Sequence, residues 1–507
     1  MSSFFTAGFI VSGSNVCRCA DYILLFSTVR SWRRLLAVYL TFVGIKGAVY
    51  RSMSLLIRLV VLTCAGATVY AMAQQGQTLN VKTLGAVGDG VADDYPALSR
   101  AAQQLCRMPE GTTLWFPPGV YRIDRYRILR GNRRNGTANI VFRGCRGVTI
   151  SGDGATIDVK GDFHRPAARR QGRLAESDSI GVTPFEMIDS SDFVISGFEM
   201  NGNVDQMTRD SGVVEGGGAG ILTTNCRRYR LENLFIHHFP TDGITLGGNS
   251  TIADRDALVQ NVRLRNNGRQ GLSIIQLRTA RFVRCTFADT GRTGGTYGRH
   301  EPSAGVDIEP VRTSPEEDVV TGDLRFEECI FSENMGAQLT CIWPGHVDSL
   351  VVTGSLIQAT RDDTDPVAYV AASAVSTTEQ STFVFSGRRG ISFGPLQAGR
   401  IAALQSIEFR GNTIFIEHGI SLYSPLQPAR VSFLENTVHF TPSQSNQSSI
   451  AIANMRQVRN NRFIVHSPSP PAGTSSVELS RYQDLQYNTV AWEIGNISPP
   501  AFRFRSR

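Results

Sequence analysis

The stretch GRTGGTYGRHEPSAGVDIEP, Gly291 to Pro310, gathers Tyr297, Arg299, His300, Asp307 and Glu309. Asp307 and Glu309 are two residues apart, so in a strand they share one face while Val306 and Ile308 take the other. Their Cα atoms would then lie roughly 6.5 to 7 Å apart. Upstream, PTDGITL (Pro240 to Leu246) adds Asp242, GRQGLSI (Gly268 to Ile274) adds Arg269 and Gln270, and FIHHF (Phe235 to Phe239) adds His237 and His238. Asp307 paired with Glu309 or Asp242 suits glycoside hydrolysis, where carboxylates about 6.5 to 9.5 Å apart leave room for water. Proton abstraction beside a uronate carboxyl needs instead a neutralising cation, a base and an acid. Arg269 or Arg299 would neutralise, His300 and Tyr297 would move protons, and Gln270, His237 and His238 would contact substrate. A third use of the acids is to hold calcium.

Two interleaved phrases describe the elements that must position these residues. One has Asn, Cys or Gly before an alternating apolar strand: Asn233, Asn261, Cys285, Cys329, Gly354, Asn412, Asn436, Asn460 or Asn461, and Asn488. The other has Gly followed by apolar residues one and three positions later, at Gly220, Gly243, Gly271, Gly305, Gly336, Gly390 and Gly419. In a strand those apolar positions point inward and the position between them points outward. The spacing is about one coil of a solenoid, and two series at one period require at least two stacked sheets. Asn and Cys at matching places predict an internal ladder of structural amides. The outward positions before the Asp307 strand are then Gln270 and Ser273, and before those Asp242 and Thr245. With coils about 4.8 Å apart, Asp242 and Asp307 would sit roughly 10 Å apart. The longest step between coils, Cys285 to Cys329, contains the acids and predicts loops flanking a groove.

The solenoid needs a cap at its exposed end. Asp93-Asp94-Tyr95-Pro96 supplies an N-cap acid and an early proline for a helix over Tyr95 to Leu105, whose apolar face is Ala97, Leu98, Ala101, Ala102 and Leu105. NVKTLGAVGDGVADDYPALSRAAQQ followed by GTTLWFPPGVYRI (Gly111 to Ile123) resembles the start of the pectate-lyase-like, rhamnogalacturonase and epimerase-like superfamily. That resemblance is specific over residues 79 to 123 and continues as coil periodicity to about residue 490. It implies an all-β, right-handed parallel β-helix with a short N-terminal capping helix, and an association with polysaccharides; a shared fold does not transfer an activity. PTDGITL is similar to the N-T-D-G element of polygalacturonases, which would make Asp242 a catalytic acid. The coil that should carry paired aspartates reads GRQGLSI, and no G-H-G element is present. YGRHEP (Tyr297 to Pro302) only partly matches the motif of mannuronan epimerases.

The net charge of +7 is concentrated at the N-terminus, where residues 1 to 73 hold Arg18, Arg30, Arg33, Arg34, Lys46, Arg51 and Arg58 against Asp21 alone. The remainder is close to neutral, so the basic balance gives no reason for a nucleic-acid partner. From Met53, Arg58, an apolar run over Leu59 to Val69 and Ala71-Met72-Ala73 form a signal peptide, with translation starting at Met53. Residues 74 to 507 are expected as one exported β-helix domain with a cap over 79 to 123, secreted or periplasmic, and without a stable membrane domain after processing. The six cysteines beyond the signal show no zinc spacing and are expected as buried thiols. The expected partner is an acidic polysaccharide, calcium is the one ion considered, and a homotrimer is an assembly such folds form. The arginine-rich stretch Phe163 to Asp178 is either a site for an anionic glycan or a solvated insertion. A lyase, epimerase or hydrolase acting on a uronate-containing glycan stands against a non-catalytic glycan-binding or surface β-helix.

Overall fold

A computed structural model describes residues 77–125, 139–162, 169–170, 173–174, 182–206, 218–248, 252–294, 301–310, 321–341, 347–362, 367–371, 375–386, 389–393, 406–417, 420–423, 430–441, 449–466 and 476–493. Strands stack coil on coil into three parallel ladders. The first runs Phe185–Ile188, Ile221–Thr224, Asp242–Leu246, Gln270–Ile274, Ala304–Ile308 and Leu339–Cys341. A second joins Arg227–Glu232, Arg255–Gln260, Thr279–Val283, Thr321–Glu327 and Val347–Thr353. The third joins Phe235–His237, Arg263–Arg265, Thr286–Ala288, Ile330–Ser332 and Leu356–Ala359. The ladders continue to Ser476–Gln486 and Thr489–Glu493. Among the described residues the one antiparallel pair is Arg169–Arg170 with Arg173–Leu174. The chain is a parallel β-helix, and Gly76–Arg507 forms one unit.

Alternation within each strand fills the interior. Ile244, Leu246, Leu272, Ile274, Val306 and Ile308 are fully buried, as the glycine phrase requires. Rings stack between coils, with Phe282 and Phe326 centroids 4.4 Å apart and Phe409 and Phe433 5.6 Å apart. The glycines themselves are demanded by close approach. A Cβ on Gly243 would lie 2.7 Å from the Gly271 carbonyl oxygen, and one on Gly271 would lie 2.5 Å from that of Gly305. Each coil therefore turns into the first sheet at a point too tight for a side chain.

A residue in the left-handed region turns each coil from the second sheet to the third: Asn233, Asn261, Arg284, Glu328, Gln380, Glu435 and Asn460, all with φ between 50° and 58°. The next residue faces inward and forms the predicted ladder. Asn412, Asn436 and Asn461 are buried; Asn412 accepts from the Ser381 backbone nitrogen at 2.9 Å, Asn436 and Asn461 each accept from the backbone and side-chain nitrogens of the preceding Asn at 2.9 to 3.1 Å, and Asn488 accepts from both nitrogens of Asn461 at 3.0 and 2.8 Å. Two expectations are corrected here. Asn233 and Asn261 occupy the outer, left-handed position, which Asn tolerates, and the buried rungs in their coils are Leu234 and Val262.

The cap is the helix Tyr95–Leu105, with the expected apolar face buried and packed on the strand Ile140–Arg143. Asp94 precedes it but does not cap it. Its carboxylate accepts from the Val87 nitrogen at 2.6 Å, the Gly88 nitrogen at 3.2 Å and the Arg122 nitrogen at 3.3 Å, tying the glycine turn to the first coil. Asp93 accepts from the Tyr95 nitrogen at 3.2 Å instead. Cys106, at the helix end, is bonded to Cys145, so the expectation of buried thiols holds for Cys226, Cys285, Cys329 and Cys341 and fails for these two. The reason is tertiary: 39 residues separate them in sequence, and the cap places their Cα atoms 4.1 Å apart.

Candidate active site

The outer side of the first sheet carries polar side chains stacked from coil to coil. Thr245, Ser273, Asp307 and Thr340 are register partners in successive strands, and Asp242 pairs with Gln270, which pairs with Ala304. The geometry follows from period two combined with in-register parallel stacking, which converts residues far apart in sequence into neighbours.

Arg269 grips Asp242 through two bonds, Nε to Oδ1 at 3.0 Å and Nη2 to Oδ2 at 2.9 Å, while the Thr245 hydroxyl donates to Oδ2 at 2.8 Å. Gln270 Nε2 donates to Asp307 Oδ2 at 2.7 Å. The face is not the open groove that the sequence suggested. Every residue of Asp242–Leu246, Gln270–Ile274 and Ala304–Ile308 is buried, and Asp307 is 0% exposed. Arg269 folding onto Asp242 and Gln270 onto Asp307 contribute to that closure. Three buried polar atoms are left without a partner: Asp307 Oδ1, Gln270 Oε1 and Ser273 Oγ. Most buried polar atoms in native proteins are bonded, so three orphans in adjoining coils mark an unusual place.

Burial pushes the Asp307 carboxyl well above the usual carboxylate range. The charges of Glu309 and Asp242 push it the same way, and Arg269 opposes them. Glu309, half-buried just past the strand end, donates its backbone nitrogen to the Ile274 carbonyl at 2.8 Å.

Five of the expected residues, Asp242, Arg269, Gln270, Asp307 and Glu309, therefore form one electrostatically linked group. His237 and His238 do not join it through any hydrogen bond. They form a second chain on the third sheet, with Glu199 Oε1 3.2 Å from His237 Nε2, the two Nδ1 atoms 2.7 Å apart, and His238 Nε2 3.4 Å from Asp205 Oδ2. Burial pulls the His237 pKa down, with the Glu199 hydrogen bond opposing. Tyr297, Arg299 and His300 lie outside the described residues, as do the side chains of Phe163 to Asp178. Sequence reasoning missed Glu199 and Asp205, and it named Ser273 only as an outward position; register with Asp307 was the signal for Ser273, whereas Glu199 pairs with Phe235 and Asp205 lies in the short helix Val204–Gln206, outside the ladders.

Calcium does not fit this group. Both Asp242 oxygens are engaged by Arg269 and Thr245, and Asp307 is displaced toward its neutral form. Among the described residues no three His, Cys, Asp or Glu side chains gather as a metal site would need. Nor is any helix among them long and apolar enough to cross a membrane.

Residues 78–298 match the family described as rhamnogalacturonase A/epimerase, pectate lyase-like. No curated protein matches the sequence. Among solved structures, the Streptococcus pneumoniae surface protein and adhesin PfbA aligns at 13% identity over 83% of this chain and 100% of its own, with a TM-score of 0.47. The A-module of an Azotobacter vinelandii mannuronan C-5 epimerase aligns at 13% identity over 81% and 99%, with a TM-score of 0.39. A tailspike of an Acinetobacter baumannii bacteriophage, a capsular polysaccharide depolymerase, aligns at 10% identity over 84% and 65%, with a TM-score of 0.41. At these scores the likenesses carry no argument about activity. With its coils and its helical cap the chain is a parallel β-helix, and over residues 78–298 it is similar to the pectate lyase-like family.

Proposed function

We propose that the protein is an exported enzyme that hydrolyses a polysaccharide on the outer side of the first sheet, with Asp307 as general acid and Glu309 as the base that activates water. One observation carries this reading: a fully buried carboxyl with an unpartnered oxygen stands beside a half-buried second carboxylate. Burial keeps Asp307 toward the neutral acid that can protonate a leaving oxygen, while Glu309 keeps access to water. Pairs of acids whose surroundings push their protonation apart are a recurrent acid/base arrangement. Hydrolysis is favoured over elimination or epimerisation because Arg269, the one of the two candidate cations among the described residues, is committed to Asp242 by two hydrogen bonds. Export rests on the segment from Met53 to Ala73 and the single domain on residues 74 to 507.

The burial of Asp307 favours a second reading, in which the cluster is structural and the β-helix binds glycan without turning it over. The two readings separate when the purified protein is offered pectic, alginate and neutral polysaccharides while unsaturated-uronate absorbance and reducing ends are followed together. Hydrolysis predicts reducing ends alone. Absorbance rising with them would replace the assignment by a lyase, and binding with silence on both channels would favour the second reading.

A further inference from the structure

Where the first sheet turns into the second, the N-terminal coils carry arginines in register. Arg146 bridges to Ser191, Ser191 to Arg227, and Arg227 pairs with Arg255 in the next coil. All three arginines are exposed, and they line a cavity of about 310 Å³ together with Ser190, Ser191 and Asn225. Their neighbours are neutralised: Arg143 bonds Asp189 at 3.0 Å, and Arg228 holds Asp192 through two bonds of 2.6 Å. Arg146, Arg227 and Arg255 make no such pair among the described residues. The one acid in the cavity wall, Asp189, is occupied by Arg143 and by the Asn225 amide at 2.7 Å.

Like charges in register on adjacent strands are unfavourable, so this row does not stabilise the coil. Arginine presents a planar fork of donors that matches carboxylate and sulfate oxygens. The row runs along the coil axis, with Arg227 and Arg255 about 4.8 Å apart in the backbone and Arg146 two coils before Arg227. A single small anion would meet only part of it, whereas a linear polymer carrying repeated oxyanions would meet all of it.

We propose that Arg146, Arg227 and Arg255 form a binding ledge for an anionic glycan, carboxylated or sulfated, separate from the Asp307 cluster. The choice of glycan among polyanions rests on the functional reading above; the oxyanion site does not. Binding of oligogalacturonate, a sulfated dextran and a neutral dextran to the full protein tests it, beside a variant carrying Arg146→Ala, Arg227→Ala and Arg255→Ala. The ledge predicts that at least one anionic glycan binds, that the triple variant loses tenfold or more of that affinity, and that raising salt weakens the wild type more steeply than the variant. The comparison between the two anionic arms identifies the oxyanion.

In the wild type, the bound glycan should shield these three arginines from phenylglyoxal, a readout independent of any variant's folding. Unchanged affinity in a folded triple variant, absence of shielding, or equal binding of neutral dextran would overturn the ledge. Equal affinity for a single-stranded DNA oligomer would overturn the assignment to glycan. The Asp307→Asn variant should bind as the wild type does, so loss of turnover and loss of the ledge are read separately.

Discussion

Asp254 and Asp307 are both buried acids on the early coils, and they differ in how their oxygens are used. Asp254 Oδ1 accepts from the Cys226 nitrogen at 2.7 Å and Oδ2 from the Tyr229 hydroxyl at 3.0 Å. Burial raises its pKa to about 6, with those hydrogen bonds opposing. A raised pKa means that the folded state holds the proton more tightly than the unfolded chain. The stability contributed by protonated Asp254 is fully present below pH 3.8 and is lost as pH rises to about 6, above which the effect is flat. The size is about 3 kcal/mol at most, from the free energy of one pKa unit. Melting temperatures of wild type and Asp254→Asn across that window check this: the wild type should lose ground to the variant as pH rises from 4 to 6. A constant difference would remove Asp254 from the account. At Asp307 the unpartnered Oδ1 makes an isosteric Asn well tolerated, so activity and stability should part company there.

The rungs of the Asn ladder should be unequal. Asn436 accepts from both nitrogens of Asn412 and donates to the Phe409 carbonyl at 3.0 Å and to Asn461 Oδ1 at 3.0 Å. Asn436→Ala strands several of these buried groups and should cost about 2 to 4 kcal/mol. Asn488→Ala, at the partly buried end of the series, should cost less; denaturant unfolding of both variants measures the order, and equal costs would argue against a ladder. At the other end, the Cys106–Cys145 bond closes a loop of 39 residues around the cap. Replacing both cysteines by serine should lower stability by up to about 4 kcal/mol, seen first as hydrogen exchange in Tyr95–Leu105. Coils and cap were legible because period-two alternation and helical spacing are local. Asp94 reaching Arg122, Cys106 meeting Cys145, and Asn233 standing outside while Leu234 turns in depend on register between coils, which no local pattern carries.

For the whole molecule, stacking explains why part of the site could be read in advance and part could not. Asp242, Gln270 and Asp307 lie on one face because each coil repeats the last, so the strand phrases located them. The closure of that face depends on how Arg269 and Gln270 fold over it, and Glu199 and Asp205 reach His237 and His238 from other coils. The central claim is that Asp307 is the acid of a glycan-hydrolysing site. The most direct measurement is turnover of the best polysaccharide from the panel by wild type and Asp307→Asn, with melting temperature and circular dichroism recorded on the same samples. The account predicts turnover reduced by a factor on the order of 10² to 10⁴, with folding unchanged. A folded Asp307→Asn protein that releases reducing ends at the wild-type rate would contradict it.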